Sequence, residues 1–459
     1  MSRLFCVVVI LTASLVSCRK KDITGDTSSL DSLGRINKWI QDSMERYYYW
    51  SGEMSAQTDY SKSPELFFAS LLSTKDLYSW ITNNGSIPPA STSYFTYGFQ
   101  YALVSLPGYP DYMGVVTLVN PGGAADKAGI QRGTCFTLVN GVVVNAQSKA
   151  AVINALKSNS LVEITPAVYD GTGWINGSVI KLNSRYAGEN AIHAVRTFTV
   201  GTISTGYIFY NSFDENYDAS LLQAFAKLRQ AKVSELILDL RYNAGGSVAT
   251  SAKIASMLAD KLSADATWAI FQGNVHEGRK SRSVQEILNT TGNTSGKQFS
   301  DLTTRRLTLK RVFILTSAAT LSAAELVINN LKPYIEVIQI GETTGGKDAA
   351  SFTITDERTP RQVYWKLQPI VYKLFNSNNQ GGYDKGLSPV YAINDIIQLP
   401  LYELGAAADP LVNKALQVIY NNQLPEIYTP LRTGKYLLPT NVIYNSAEKE
   451  SDASLWIKP

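Results

Sequence analysis

Ser322 and Lys347 are the two side chains in this 459-residue sequence best placed to do chemistry together. An apolar run, Val312 to Leu315, is followed by small residues, Ser317 to Thr320. A helical pattern then runs from Ala323 to Leu331 and stops before Pro333. A second apolar run, Ile335 to Ile340, leads into Gly341-Glu-Thr-Thr-Gly-Gly-Lys347. Strand, helix, strand in that order predicts a right-handed crossover in a mainly parallel sheet. Ser322 then falls at a helix N-terminus, where free backbone N–H groups and the helix dipole favour negative charge. Such a site suits an alkoxide or an oxyanion. An equally simple reading of Ser322 is an N-cap, with Glu325 three residues on completing a capping box. Lys347 bears on that choice. A turn lysine is normally a solvated charge, but one buried beside a serine is pushed toward its neutral amine, which can act as general base.

A third piece lies upstream. Val233-Ser-Glu-Leu-Ile-Leu-Asp239-Leu reads as a buried strand, Arg241-Tyr-Asn-Ala-Gly245-Gly246 as a glycine turn, and a helix opens near Val248. Strand, glycine turn and helix can make a backbone anion site. Alone, the stretch fits an ordinary strand-to-helix turn equally well.

Taken together, Asp239-Leu-Arg-Tyr-Asn-Ala-Gly-Gly246, Leu321-Ser-Ala-Ala-Glu325 and Gly341-Glu-Thr-Thr-Gly-Gly-Lys347 resemble the tail-specific (carboxyl-terminal processing) serine proteases. Those enzymes carry D-L-R-x-N-x-G-G, S-A-S-E and G-x-x-T-x-G-K motifs in this order. The 25-residue step from Ser322 to Lys347 also matches. The resemblance implies Ser322 as nucleophile, Lys347 as its general base, and the N–H groups of Gly246 and Ala323 as the oxyanion hole. It implies a ClpP/crotonase-like protease domain with a mainly parallel sheet, in an α/β (α+β overall) chain. One position departs from the pattern. Ser351 stands four residues after the lysine, where relatives often have a glutamine that orients the amine; it is the candidate third group. Asp348 follows the lysine directly, and a neighbouring carboxylate favours charged Lys347.

The elements that must position these residues start further upstream. Residues 1–18 read as a lipoprotein signal peptide: Arg3, an apolar run from Leu4 to Val16, then Cys18. The run is too short to span a bilayer comfortably, and Cys18 is the expected lipidation site. Residues 19–32 read as a flexible tether. Residues 33–93 form a small helical domain, with Ile36, Trp39, Ile40, Met44 and Tyr47 at helical spacing and a second helix opened by Ser63-Pro64-Glu65. The cluster Tyr47-Tyr-Tyr-Trp50 continues that stripe and is expected to be core.

Residues 94–170 look like a PDZ module. Gly114-Val-Val-Thr-Leu-Val-Asn-Pro121-Gly-Gly-Ala-Ala125 runs on to Ala128-Gly129, Gly133 and Val139-Asn-Gly141, with a helix from about Ser148 to Leu156. Such modules take an extended C-terminal peptide as an added strand. The stretch Tyr97-Gly98-Phe99-Gln100 is the candidate carboxylate loop, with Gly98 and Phe99 at its centre. Residues 171–200 are expected to connect, 201–422 to form the protease domain, and 423–459 to be an irregular tail.

Composition narrows the function classes. Hydrophobic residues at 45% and charged residues at 17% describe a globular chain with sizeable cores. Net charge is +4 with no long basic run, so no nucleic-acid partner is expected. The two histidines, His193 and His276, sit in no metal-binding spacing, and neither a metal nor a cofactor is implied. Once Cys6 leaves with the signal and Cys18 is acylated, Cys135 alone remains, and no intrachain disulfide can form. The sequence thus points to a lipid-anchored bacterial envelope serine endopeptidase that cuts proteins or peptides selected near their C-termini. The rivals are a PDZ-bearing scaffold that grips C-termini without cutting, and a hydrolase of small esters on the same dyad. Oligomeric state is left open.

Overall fold

The computed structural model describes residues 31–55, 59–83, 95–158, 160–186, 191–292, 294–424 and 437–449. Cys18, the signal and most of the expected tether lie outside them. Three bodies follow in order: a helical module, a sheet-rich module and a larger α/β domain.

The helical module is built as its caps predict. Asp31 caps the helix Ser32–Tyr47 by accepting from the Gly34 N–H at 2.7 Å. Ser63 caps Pro64–Leu71, with Pro64 in the first turn, where it loses no hydrogen bond. Ile40, Met44, Tyr48, Phe67 and Leu71 close a small core with Ile354 and Leu367 of the α/β domain. The tyrosine cluster is therefore structural in part: Tyr48 is fully buried. The strand Trp80–Thr82 pairs antiparallel with Lys366–Gln368, which ties this module to the α/β domain.

The middle module is an antiparallel sheet. In spatial order its strands are Asn441–Asn445, Phe99–Ser105, Tyr112–Val119, Cys135–Val139, Val162–Tyr169 and Trp174–Asn176. Asn140 and Gly141, both at positive φ, make the expected hairpin turn. The helix Lys149–Lys157 packs Val152 and Leu156 into the module core. Two expected boundaries are corrected here. Residues 171–200 are not a plain connector: Trp174–Asn176 and Ile180–Leu182 extend this sheet, and Ile192–Val200 opens the next one. Residues 423–459 are not wholly irregular: Asn441–Asn445 is an edge strand of the middle module, followed by a short helix, Ser446–Lys449. The tail strand is held by a partner remote in sequence, Phe99–Ser105, so its structure had no local signature.

The α/β domain is a six-stranded sheet in the order Ile192–Val200, Ile203–Tyr210, Glu235–Asp239, Arg311–Thr316, Glu336–Gly341, Tyr391–Ala392. Only the first pair is antiparallel. Alternation of side chains builds a core on each face. Leu236, Leu238, Val312 and Ile314 face one core, with the helices Asp218–Gln230, Val248–Leu258 and Ala323–Leu331. Ile237, Phe313 and Leu315 face the other, with Pro410–Ile419. The predicted crossover from Arg311–Thr316 through Ala323–Leu331 to Glu336–Gly341 is present, and its parallel register runs unbroken from Arg311/Glu336 to Thr316/Gly341. Both turns of interest leave the C-terminal ends of central parallel strands, where open α/β sheets place their sites.

Candidate active site

Ser322 caps the helix Ala323–Leu331 with φ +63° and ψ −114°, a region that L-residues rarely adopt. Such backbone costs about 1–3 kcal/mol and persists only where the surroundings enforce it. Glu325 supplies part of that enforcement, accepting the Ser322 N–H at 2.7 Å. The Ser322 hydroxyl is fully buried, yet Oγ makes no hydrogen bond of normal geometry among the described residues. Both halves of a capping box face each other here, with the carboxylate bond well formed and the Glu325 N–H to Ser322 Oγ contact outside normal hydrogen-bond geometry.

Glu325 does more than cap. Its Oε2 accepts from the N–H of Ser322 and also from the N–H of Lys347, at 2.8 Å. Its Oε1 accepts from the Gly346 N–H at 2.7 Å and from the Thr344 hydroxyl. One buried carboxylate therefore fastens the serine turn to the lysine turn, 22 residues away along the chain. Burial pushes its pKa up, and the four donors pull against that. The spacing Ser322–Glu325 was legible as a capping box; the second role depends on the return of the chain at 344–347, which no local pattern encodes.

The upstream turn closes on the same point. Gly245 and Gly246 have φ +102° and +135°. A Cβ on Gly245 would lie 2.7 Å from the Ser322 Cβ and 2.8 Å from the Ala323 nitrogen, so only glycine allows this approach. The Gly245 carbonyl accepts from Phe213 N–H at 3.0 Å, and Ser247 N–H returns to the Phe213 carbonyl at 2.8 Å, which pins the turn from both sides. Ala323 is the first residue of its helix, so its N–H has no intrahelical acceptor. Glu325 thus ties the backbones of Ser322 and Lys347 together, and Gly245, next to Gly246 in the chain, packs against Ser322 and Ala323.

Beneath the turn lies a network that sequence reasoning did not assemble. The fully buried Arg241 contacts Asp239 at 2.8 Å, Asp409 at 2.9 Å and Asp395. Arg132, from the middle module, reaches Asp395 at 2.9 Å and the Tyr242 hydroxyl at 2.6 Å. Burial opposes ionisation of Asp395, but the Arg132 and Arg241 guanidinium groups hold it down at about 2. Arg241 was visible in the motif; its meeting with Asp395 and Asp409 was not.

Lys347 is buried, with Nζ 4.4 Å from the ring centre of Tyr78, a residue of the helical module. Burial, aided by the charges of Glu325 and Asp348, pushes the Tyr78 hydroxyl up to about 12, so it stays protonated at neutral pH. Asp348 is paired with Lys373, so its charge is taken up by a lysine other than the one it follows. Ser351, on the strand Ala349–Ser351, is buried and accepts from Gln368 Nε2 at 3.2 Å. A glutamine thus reaches the Ser351 hydroxyl from another strand.

Gly98 and Phe99 belong to the other module. Gly98 has φ +79°, its carbonyl accepts from the Asn120 N–H at 2.8 Å, and Phe99 begins the strand beside the tail. Among the described residues no group of histidine, cysteine and carboxylate side chains is arranged to hold a metal ion. No helix among them is long and apolar enough to cross a membrane.

Comparison with known proteins agrees with this layout. Residues 204–389 match Peptidase family S41, residues 35–80 the Peptidase S41 N-terminal domain, and residues 115–165 a PDZ domain. The C-terminal processing peptidase of the Tetradesmus obliquus chloroplast is 25% identical over 242 residues, 51% of this chain and 47% of that one. A protein named "Probable CtpA-like serine protease" from Staphylococcus aureus (strain N315) is 23% identical over 239 residues, covering 52% and 42%. The chain spans about half the length of these curated relatives. A solved structure, provisionally named an S41 protease, from Bacteroides fragilis NCTC 9343 superposes with a TM-score of 0.66 at 26% identity, covering 83% of this chain and 97% of that one.

Proposed function

We propose that the chain, whose residues 204–389 match Peptidase family S41, residues 35–80 the S41 N-terminal domain and residues 115–165 a PDZ domain, is a serine endopeptidase working through a Ser322–Lys347 dyad. One observation carries the reading. The Ser322 hydroxyl is buried and makes no hydrogen bond of normal geometry, on strained backbone, at the junction of the Gly245–Gly246 turn and the lysine turn that Glu325 fastens to it. We assign the neutral amine of the buried Lys347 as the proton acceptor.

In the proposed reaction the Lys347 amine takes the Ser322 proton and Oγ attacks the peptide carbonyl. The Gly246 and Ala323 N–H groups hold the negative oxygen of the tetrahedral intermediate. Collapse expels the amine leaving group, protonated from Lys347, and leaves an acyl-enzyme that water hydrolyses. Glu325 and the Arg241 network act as positioning groups for the two turns. Ser351, backed by Gln368, is the third group we assign to the lysine side of the site. Substrates would be polypeptides presented near their C-termini by the PDZ module, with Gly98 and Phe99 receiving the terminal carboxylate. We also propose that Cys18 carries a lipid that anchors the body in a bacterial cell envelope. Labelling with a radioactive fatty acid, lost in Cys18→Ala, tests that anchor.

The scaffold reading keeps one observation in its favour, namely that Ser322 and Lys347 are 0% and 1% exposed. A fluorophosphonate probe separates the two. Labelling of the wild type that disappears in Ser322→Ala supports the enzyme. A folded wild type that takes up no probe supports the scaffold.

A further inference from the structure

The ligand edge of the PDZ module is already occupied by the chain itself. The strand Phe99–Ser105 has Tyr112–Val119 on one side and Asn441–Asn445 on the other. The second pairing is antiparallel, with Asn441 opposite Ser105 and Asn445 opposite Ala102. The segment therefore runs toward the Gly98–Phe99 turn, the direction a bound C-terminal peptide would take. Beyond Asn445 the ladder ends, and the Tyr101 N–H is met by the Ser446 side-chain hydroxyl at 2.9 Å. Tyr444 is buried in the core cluster that contains Val152 and Leu156 of the helix Lys149–Lys157. Its ring centre lies 5.7 Å from that of Tyr101. Strand pairing is the contact by which an added peptide strand is held, and here it is joined by a side chain, Tyr444, buried in the module core.

The same segment touches the catalytic half of the molecule. Ala447 is buried in the core cluster that contains Tyr242 and Ala319. Asn445 and Glu448 line a cavity of about 340 Å³ together with Tyr242, Ser317 and Asp395. Tyr242 belongs to the turn that ends in Gly246, and Ser317 precedes Ser322. Whatever occupies the PDZ edge through this segment is thereby joined to the floor of the candidate active site.

We propose that residues 441–446 are an internal ligand of the PDZ edge, which a substrate C-terminus must displace before it can add to Phe99–Ser105. This rests on the reading of the module as a peptide-capturing domain. A tethered segment competes at an effective concentration of roughly millimolar, so it would exclude weak peptides and admit those that bind well. Its departure would also withdraw Ala447 and Glu448 from the neighbourhood of Tyr242, coupling capture to the turn that carries Gly246.

The test uses the chain from residue 19 in a Ser322→Ala background, so that no probe is cut. The probe is a fluorescein-labelled peptide of residues 439–445 of this chain, ending in a free carboxylate. Two variants are compared with the parent by fluorescence anisotropy. Tyr444→Ala weakens the tail. Asn441→Cys with Ser105→Cys pins it, because directly paired antiparallel residues stand about 4.5–5.5 Å apart, within disulfide reach. The expected result is at least tenfold tighter probe binding by Tyr444→Ala. The oxidised pair should bind at least tenfold more weakly than the parent and recover with dithiothreitol. Equal binding by parent, Tyr444→Ala and the oxidised pair would overturn the proposal, as would binding by none of them. If Tyr444→Ala does not fold, as judged by its melting curve, the disulfide pair decides alone. Binding is read without catalysis, so loss of the protease reading would appear separately, in fluorophosphonate labelling of the Ser322 form.

Discussion

Replacing Glu325 by glutamine changes one atom and tests the geometry of the whole site. The carboxylate accepts three backbone N–H groups, from Ser322, Gly346 and Lys347, and the Thr344 hydroxyl. Each oxygen serves two of these donors. In the amide, one oxygen becomes NH₂, so two donors lose their acceptor and meet another donor. Hydrogen bonds to a charged group are worth about 1.5–3 kcal/mol each. The loss is therefore about 3–6 kcal/mol, offset where the turns relax. Against a typical total of about 5–15 kcal/mol, the variant should fold with a lower melting temperature. Relaxation means that the Ser322 and Lys347 turns move apart, and a misplacement of about 1 Å costs roughly 100-fold in rate. Casein cleavage and the rate of fluorophosphonate labelling should both fall by about that factor, with KM little changed. A folded Glu325→Gln protein that cleaves and labels within threefold of the wild type would refute the reasoning, because the carboxylate would then be an ordinary cap.

Three further outcomes follow from neighbouring residues. Gly245→Ala places a Cβ against the Ser322 Cβ and the Ala323 nitrogen at positive φ; we expect roughly 100-fold loss of casein cleavage, in a protein destabilised by about 1–3 kcal/mol in urea melts. Arg241→Met leaves Asp239, Asp395 and Asp409 without their shared cation; removing one partner of a buried pair costs about 3–5 kcal/mol, which a drop in melting temperature will register. Glu342 has its pKa raised to about 7 by burial, with Asp395 and Glu448 adding to the rise. The folded state thus holds a proton that the unfolded chain releases near its ordinary 4.5, so this group's contribution to stability is present below that value and is lost as pH rises through 7. Glu342→Gln should therefore raise the melting temperature at pH 8 and leave it nearly unchanged at pH 4.5, corresponding to about 1–3 kcal/mol after allowance for partial exposure.

The central α/β crossover was legible because its signals are local. Parallel strands buried on both faces read as short apolar runs, and Pro333 marks where the helix between them ends. The glycine turn was legible because only glycine tolerates φ +102° and +135° so close to another turn. Less legible were contacts between segments far apart in the chain. Glu325 looked like a cap, since its other three donors arrive about twenty residues later. Tyr78 over Lys347 joins residues from two modules. The tail strand was missed for a related reason: Asn441–Asn445 has a buried face only because Phe99–Ser105 offers an edge to it. Asp348 next to the lysine suggested an electrostatic conflict, which Lys373 answers from across the strand pair.

The most direct test of the account is cleavage of unfolded casein by the chain from residue 19, run beside Ser322→Ala and Lys347→Ala with the fold of each checked by its melting curve. The account predicts fragments from the wild type and none from either variant. Cleavage that persists undiminished in folded Ser322→Ala would contradict it, since no other residue is given the nucleophile's part.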